Sequence, residues 1–180
     1  MSGIESTTLD RHAGPAVDFE RLADEHLETA YRLAYAILHD PAEAQDATHD
    51  AFIQAWRAWV TLRDPARFEA WFDRILVNTC RNRLHRRSRW QTRDISDDVV
   101  VASGDPFTQT HDRDVLGPAL VQLSPDHRVV VALRFYRDLT VEQIAARLGI
   151  PVGTVHSRLH AARKEFQRAL ARFRARGGRP

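Results

Sequence analysis

Apolar side chains recur at helical spacing in two separate blocks of this chain, and residues 91–112 between them follow no period. That contrast points to small helical bundles on a tether. In the first block, Phe19, Leu22, Ala23, Leu27, Ala30, Leu33, Ala34, Ile37 and Leu38 form one stripe, which "HDP" at 39–41 ends. A second run starts at Pro41, a good first helical residue, and carries Ala44, Ala47, Ala51, Phe52, Ala55, Trp56 and Trp59. Glu43, Asp46 and Asp50 lie on its polar side. A third, from about Arg67, turns Phe68, Trp71, Phe72, Ile75, Leu76, Thr79 and Cys80 inward and runs on into "RNRLHRRSRW". Three such helices can bury one core.

The unpatterned stretch "QTRDISDDVVVASGDPFTQTHD" mixes acids, small residues, Gly and Pro. Its "VVV" has no partner strand, so the segment reads as a flexible linker. Helical spacing resumes at Val115, Leu116, Leu120 and Leu123, followed by a capped apolar run in "SPDHRVVVALRF". The predicted fold is all-α: a tail over 1–16, a helical domain over 17–90, a linker over 91–112, a second helical domain over 113–176 and a short tail over 177–180.

The second domain contains the most specific local pattern. Thr140 can cap "VEQIAARL", Gly149 can take the left-handed turn, and Pro151 can start the last helix. Helix, short turn and helix in this order form a helix-turn-helix, whose second helix enters a major groove. Val155, Leu159, Ala162, Phe166 and Leu170 point inward, leaving Gly153, Thr154, His156, Ser157, His160 and Arg163 outside. A plain helical hairpin would share the spacing. Charge separates the two readings.

The net charge of +2 conceals alternating blocks: about −7 over residues 1–60, +5 over 61–95, −5 over 96–126 and +9 over 127–180. Two basic blocks held apart by acidic ones suit two contacts on a polyanion. No acid falls between Glu142 and Glu165, so the helix-turn-helix lies in basic surroundings and favours DNA. A single cysteine, Cys80, excludes a disulfide framework or a cysteine zinc cluster within the chain. The N-terminal residues have no apolar signal-like core, and no apolar run reaches membrane-spanning length. The expectation is a soluble cytoplasmic protein without membrane insertion, cofactor or metal.

On these residues a family resemblance rests. "SPDHRVVVALRFYRDLTVEQIAARLGIPVGTVHSRLHAARKEF" resembles the C-terminal domain of bacterial sigma-70 factors of the extracytoplasmic-function (ECF) group. "DPAEAQDATHDAFIQAWRAW" and "RFEAWFDRILVNTCRNRLHRRSR" resemble the group's other domain. The resemblance implies a non-enzymatic factor that binds core RNA polymerase, recognises −10 and −35 promoter elements and melts the promoter. It implies docking on the clamp helices of the largest subunit through Asp46, His49, Asp50, Phe52, Ala55 and Trp56, with Phe52 and Trp56 also serving the core, and a further contact on the flap.

For the −10 element it implies a pocket in "TLRDPAR" with Arg63 and Arg67, then Asn78 and a backbone path along Arg74, Arg81, Arg83, Arg86 and Arg87. For the −35 element it implies His156, Ser157, His160 and Ala161, with Arg158 and Arg163 nearby, beside Gly153 and Thr154. The family more often has Gln and Glu where this chain has His49 and Asp50, often Asp at Asn82, and basic residues at His156 and Ala161. The acidic linker is implied to thread toward the polymerase cleft in place of RNA, and an anti-sigma factor is a common partner. Two other readings remain: a free-standing helix-turn-helix regulator, and a metal or catalytic protein built on Asp46, His49 and Asp50 or on His156 and His160. The first leaves residues 17–90 without a role. The second lacks a third ligand or any catalytic motif.

Overall fold

The structure is a computed structural model and describes residues 15–91 and 119–175. The tails, the linker, the "VVV" segment, Val115 and Leu116 lie outside the described residues. Among those described there is no strand. Helix α1 spans Pro15–Leu38, α2 Pro41–Ala58, α3 Phe68–Gln91, α4 Pro125–Phe135, α5 Val141–Leu148 and α6 Val152–Ala175.

The chain reverses between α1 and α2 in two residues. His39 takes a left-handed φ of 53°, and Asp40 caps α2 by accepting from the Glu43 N–H at 3.1 Å. Ala30 and Ala34 of α1 and Ala44, Ala47, Ala51 and Ala55 of α2 are all fully buried. Methyl groups there let the helices close on each other nearly backbone to backbone. α3 completes the bundle with Phe68, Phe72, Leu76, Val77 and Cys80. Gln54 of α2 donates to the buried Thr79 of α3 at 3.1 Å and sets their register.

An aromatic cluster closes one end of this bundle. Phe19 meets Trp56 and Trp59 edge-on at 5.2 and 5.3 Å, and Phe68 stacks on Phe72 at 5.6 Å. Trp59 and Phe68 also meet edge-on, at 6.1 Å, so the loop between them is pinched at its base. Two 3₁₀ turns, Trp59–Thr61 and Pro65–Arg67, give that loop its shape, and Asp64 caps the second. α3 therefore starts one residue later than the periodicity predicts, because Pro65 opens a separate turn.

The second bundle has its own centre in Leu133 of α4, Ile144 of α5 and Val155 of α6. The two bundles pack together, however, rather than lying apart as the tether suggests. α4 touches α1 and α3, α5 touches α3, and Val129, Val130 and Leu133 join one continuous apolar cluster with the first bundle. The "VVVALRF" run is apolar on more than one face, and a helix of that kind is buried on more than one side. Arg128 is buried in this seam and donates to the Ile37 carbonyl of α1 at 3.2 Å.

Candidate nucleic-acid and protein interfaces

The recognition geometry of the second bundle follows from its turn. Thr140 accepts from the Gln143 N–H and Gln143 accepts from the Thr140 N–H, a reciprocal capping box at the start of α5. Gly149 ends α5 at φ 64°, a conformation that costs a side-chain-bearing residue energy. Val155 and Ala162 then bury the inner face of α6, with Leu159, Phe166 and Leu170 half-buried beside them. The opposite face presents Gly153, His156, Ser157, His160 and Arg163 to solvent, while Thr154 and Ala161 sit at its edge. Ser157 donates to the Thr154 carbonyl at 2.9 Å, leaving its oxygen lone pairs outward. Arg158 departs from the sequence expectation. It turns back to Asp126 of α4 at 2.7 Å and braces α6, so its guanidinium is not offered to DNA in this form.

On the first bundle, Arg63 and Arg67 are exposed on the pinched loop, and Arg67 lies 3.5 Å from Asp64. Arg74 and Asn78 are exposed one turn apart on α3, whereas Arg81 is half-buried and turns its Nε toward Asp126 of α4 at 4.0 Å. Arg86 and Arg87 are exposed farther along and share a recess with Leu38, Asp40 and Glu43. Arg83 does not join them. Its side chain is only 16% exposed and donates to Asp50 at 2.6 Å and Glu43 at 2.7 Å, with Asp46 at 3.9 Å. Burial acts to lower its pKa, yet the bonds to Asp50 and Glu43 prevail and hold the guanidinium above its ordinary value. Arg83 therefore joins α3 to α2 instead of lining a phosphate path. Charge opposite α2 decides its direction.

The outward face of α2 also differs from expectation. Ala55 is fully buried and touches nothing outside, and Phe52 stacks on Phe72 at 4.4 Å within the core. Asp50 is engaged by Arg83. Asp46, His49 and Trp56 remain outward, and the structure adds Ile53 and Val60, exposed apolar residues that sequence reasoning missed. Positions 46, 49, 53 and 56 alternate steps of three and four along α2, one stripe on its surface, and Val60 in the 3₁₀ turn after it extends the line. That spacing could have revealed them. The stripe is acidic at one end and apolar at the other, where Val60 is 90% exposed.

Comparison with known proteins agrees with both bundles. Residues 22–90 match the sigma-70 region 2 family model, and residues 119–167 match that of sigma-70 region 4. The ECF RNA polymerase sigma factor SigE of Mycolicibacterium smegmatis is 32% identical over 177 residues, covering 95% of this chain and 68% of its own length. The RNA polymerase sigma-E factor of Streptomyces coelicolor is 31% identical over 166 residues, covering 89% of this chain and 86% of itself. The chain belongs to the ECF sigma-70 family.

As a sigma factor it is an initiation factor that recognises promoters, and the free-standing regulator reading is not favoured. A solved sigma factor, RpoE of Bartonella quintana in complex with the anti-sigma factor NepR, shares the fold, with a TM-score of 0.68 at 24% identity over 86% of this chain and 97% of that one. Sigma factors are non-enzymatic initiation factors. Among the described residues no His, Cys, Asp or Glu cluster is arranged to hold a metal, and no helix is long and apolar enough to cross a membrane.

Proposed function

We propose that the two bundles of this sigma factor, residues 17–90 and 113–176, divide promoter recognition and polymerase docking between them. The outer face of α6 reads the −35 element through His156, Ser157, His160 and Arg163, with Gly153 and Thr154 letting backbone approach the groove. The pinched loop holds a flipped −10 base between Arg63 and Arg67, and Arg74, Asn78, Arg81, Arg86 and Arg87 guide the unpaired strand along α3. The outward line of α2 and the turn after it, Asp46, His49, Ile53, Trp56 and Val60, docks on the clamp helices of core polymerase, and α4–α6 engage its flap. An anti-sigma factor is a further partner. Cytoplasmic residence follows from acting on polymerase and DNA.

The observation that carries this reading is the face of α6. It is polar, basic and solvent-exposed where a capping box and a left-handed glycine present it, and Val155 and Ala162 fix its rotation. Run-off transcription from a promoter library by core polymerase reconstituted with the full chain tests it. Enriched templates should share two elements, and Ser157→Ala should change the −35 consensus at one position at a typical cost of about 1 to 3 kcal/mol. Failure to bind core polymerase in a pull-down would overturn the docking assignment.

A further inference from the structure

Asp73 of α3 is fully buried, and what buries it is the other bundle. Arg137, in the turn after α4, donates to its Oδ1 at 2.6 Å, and Arg147, in the last turn of α5, brings Nε to 3.1 Å from Oδ2. Arg137 also reaches Glu69 of α3 at 3.2 Å. The two arginine side chains are only 8% and 13% exposed. A carboxylate of one domain thus sits in a socket made by two guanidiniums of the other. Alongside it, the turn at Gly149 lies against Arg74: a side-chain carbon placed at Gly149 would meet Arg74 Nη2 at 3.7 Å.

This closed form cannot read a promoter of the kind proposed above. Elements named −10 and −35 lie about 25 base pairs apart, or about 85 Å at 3.4 Å per base pair. α6, at 24 residues, is about 36 Å long. With α5 lying on α3, no part of α6 reaches the required separation. The 27 residues from 92 to 118, at up to about 3.3 to 3.6 Å each, suffice to span it once the bundles part.

We propose that Asp73, Arg137 and Arg147 form a latch that holds the free sigma factor closed, and that promoter engagement requires this latch to open. The inference rests on the promoter-reading assignment for its consequence, but the latch itself is a property of the free chain.

The seam is built to part. Asp73 Oδ2, Arg137 Nε and Arg147 Nε are buried without a hydrogen bond, as are Arg81 Nε, Asp126 Oδ1 and Arg128 Nε nearby. Arg81 of α3 and Asp126 of α4 face each other across the seam at only 4.0 Å. A half-satisfied buried polar network returns little of what its desolvation costs. Burial pushes the Asp73 carboxyl above its ordinary 3.8, although Arg137 and Arg147 pull it the other way. The intact network therefore adds little beyond fixing how the domains meet, whereas a carboxylate left without its arginines in the buried seam penalises the closed form strongly. Removing one side of the network should open it, whereas apolar side chains of similar size should seal it.

The test measures the distance between spin labels at Glu20→Cys and Gln167→Cys in the full chain, both sites exposed and Cys80 buried. The otherwise unmodified chain should give one short distance. Arg137→Gln with Arg147→Gln should raise the ratio of long to short distances at least tenfold. Asp73→Leu with Arg137→Met and Arg147→Leu should keep the short distance and lower run-off transcription at limiting sigma factor. A broad, long distribution in the unmodified chain, or no change in the double glutamine variant, would overturn the latch. Circular dichroism identifies a variant that fails to fold, in which case the apolar triple variant decides: loss of its short distance refutes the proposal. Binding to a −35 duplex should be equal in all three, because the face of α6 is exposed in the closed form. If distances shift as expected but no chain binds duplex or polymerase, the promoter-reading assignment fails while the latch stands.

Discussion

Arg83 of α3 holds Asp50 of α2 at 2.6 Å, and the same guanidinium holds Glu43, two turns earlier on the same face of α2, at 2.7 Å. A residue in the basic run and one in the acidic helix thereby neutralise each other. Asp50→Asn should cost region 2 about 1 kcal/mol, since both acids are half-exposed and screened. Arg83→Gln should cost more than either acid alone because it releases two partners. Urea denaturation midpoints check the order.

Val60 is the clean probe of the proposed docking stripe, because at 90% exposed it supports nothing inside the protein. Val60→Asp should leave the melting temperature of the free chain unchanged and weaken assembly with core polymerase at least tenfold, about 1.4 kcal/mol. Trp56→Ala should weaken it further, at the cost of the edge contact with Phe19. Titration of core polymerase with labelled sigma factor measures both.

Gly153 has nothing within 4 Å of where a side-chain carbon would stand. Gly153→Ala should therefore stabilise α6 slightly, by less than the roughly 1 kcal/mol of a helix-interior glycine because Gly153 lies in the first turn. If backbone approaches DNA there, the same substitution weakens −35 duplex binding. A higher melting temperature with lower duplex affinity is the expected pair of results.

Burial pushes the Cys80 thiol up to about 12. At pH 8 the native thiolate fraction is then on the order of a thousandfold below that of an unfolded cysteine, whose pKa is about 8.5. Iodoacetamide should label the chain only on unfolding, and the labelling rate should follow the denaturation curve.

Glu165 of α6 accepts from the Ser124 N–H at 3.1 Å and meets His127 at 2.9 Å, fastening α6 to the start of α4. Burial acts to raise its pKa, but the bonds from His127 and Ser124 prevail and hold the carboxyl below its ordinary 4.5. A depressed carboxyl contributes stability that is present above the unfolded value and is lost as pH falls through the folded one. Unfolding free energy should therefore drop below about pH 4.5 by an amount that Glu165→Gln removes, on the order of 1 kcal/mol.

The helices and their ends were readable because their causes are local. Asp40 before Pro41, Thr140 with Gln143, and Gly149 each act within a few residues of themselves. Ala55 was readable too: it continues the step 44, 47, 51, 55 that points inside, and only the family resemblance turned it outward. Arg83 and Arg158 were not readable, since their directions depend on acids 33 and 32 residues away in sequence. The seam was hidden for the same reason. Nothing near Asp73 in sequence announces Arg137 and Arg147, although the many-sided apolar character of "VVVALRF" hinted at a second neighbour for α4.

The alanines between α1 and α2 have a mechanical consequence. Ala30, Ala34, Ala44, Ala47, Ala51 and Ala55 offer no rotamers through which a displacement could be absorbed. Long side chains would act as springs between the helices, and methyl groups act as welds. A push on the outward stripe of α2 therefore moves α1 and α2 as one unit, with the aromatic end of the bundle and its loop attached. On the docking and −10 assignments proposed above, a swing of the polymerase clamp would carry the strand at that loop with it.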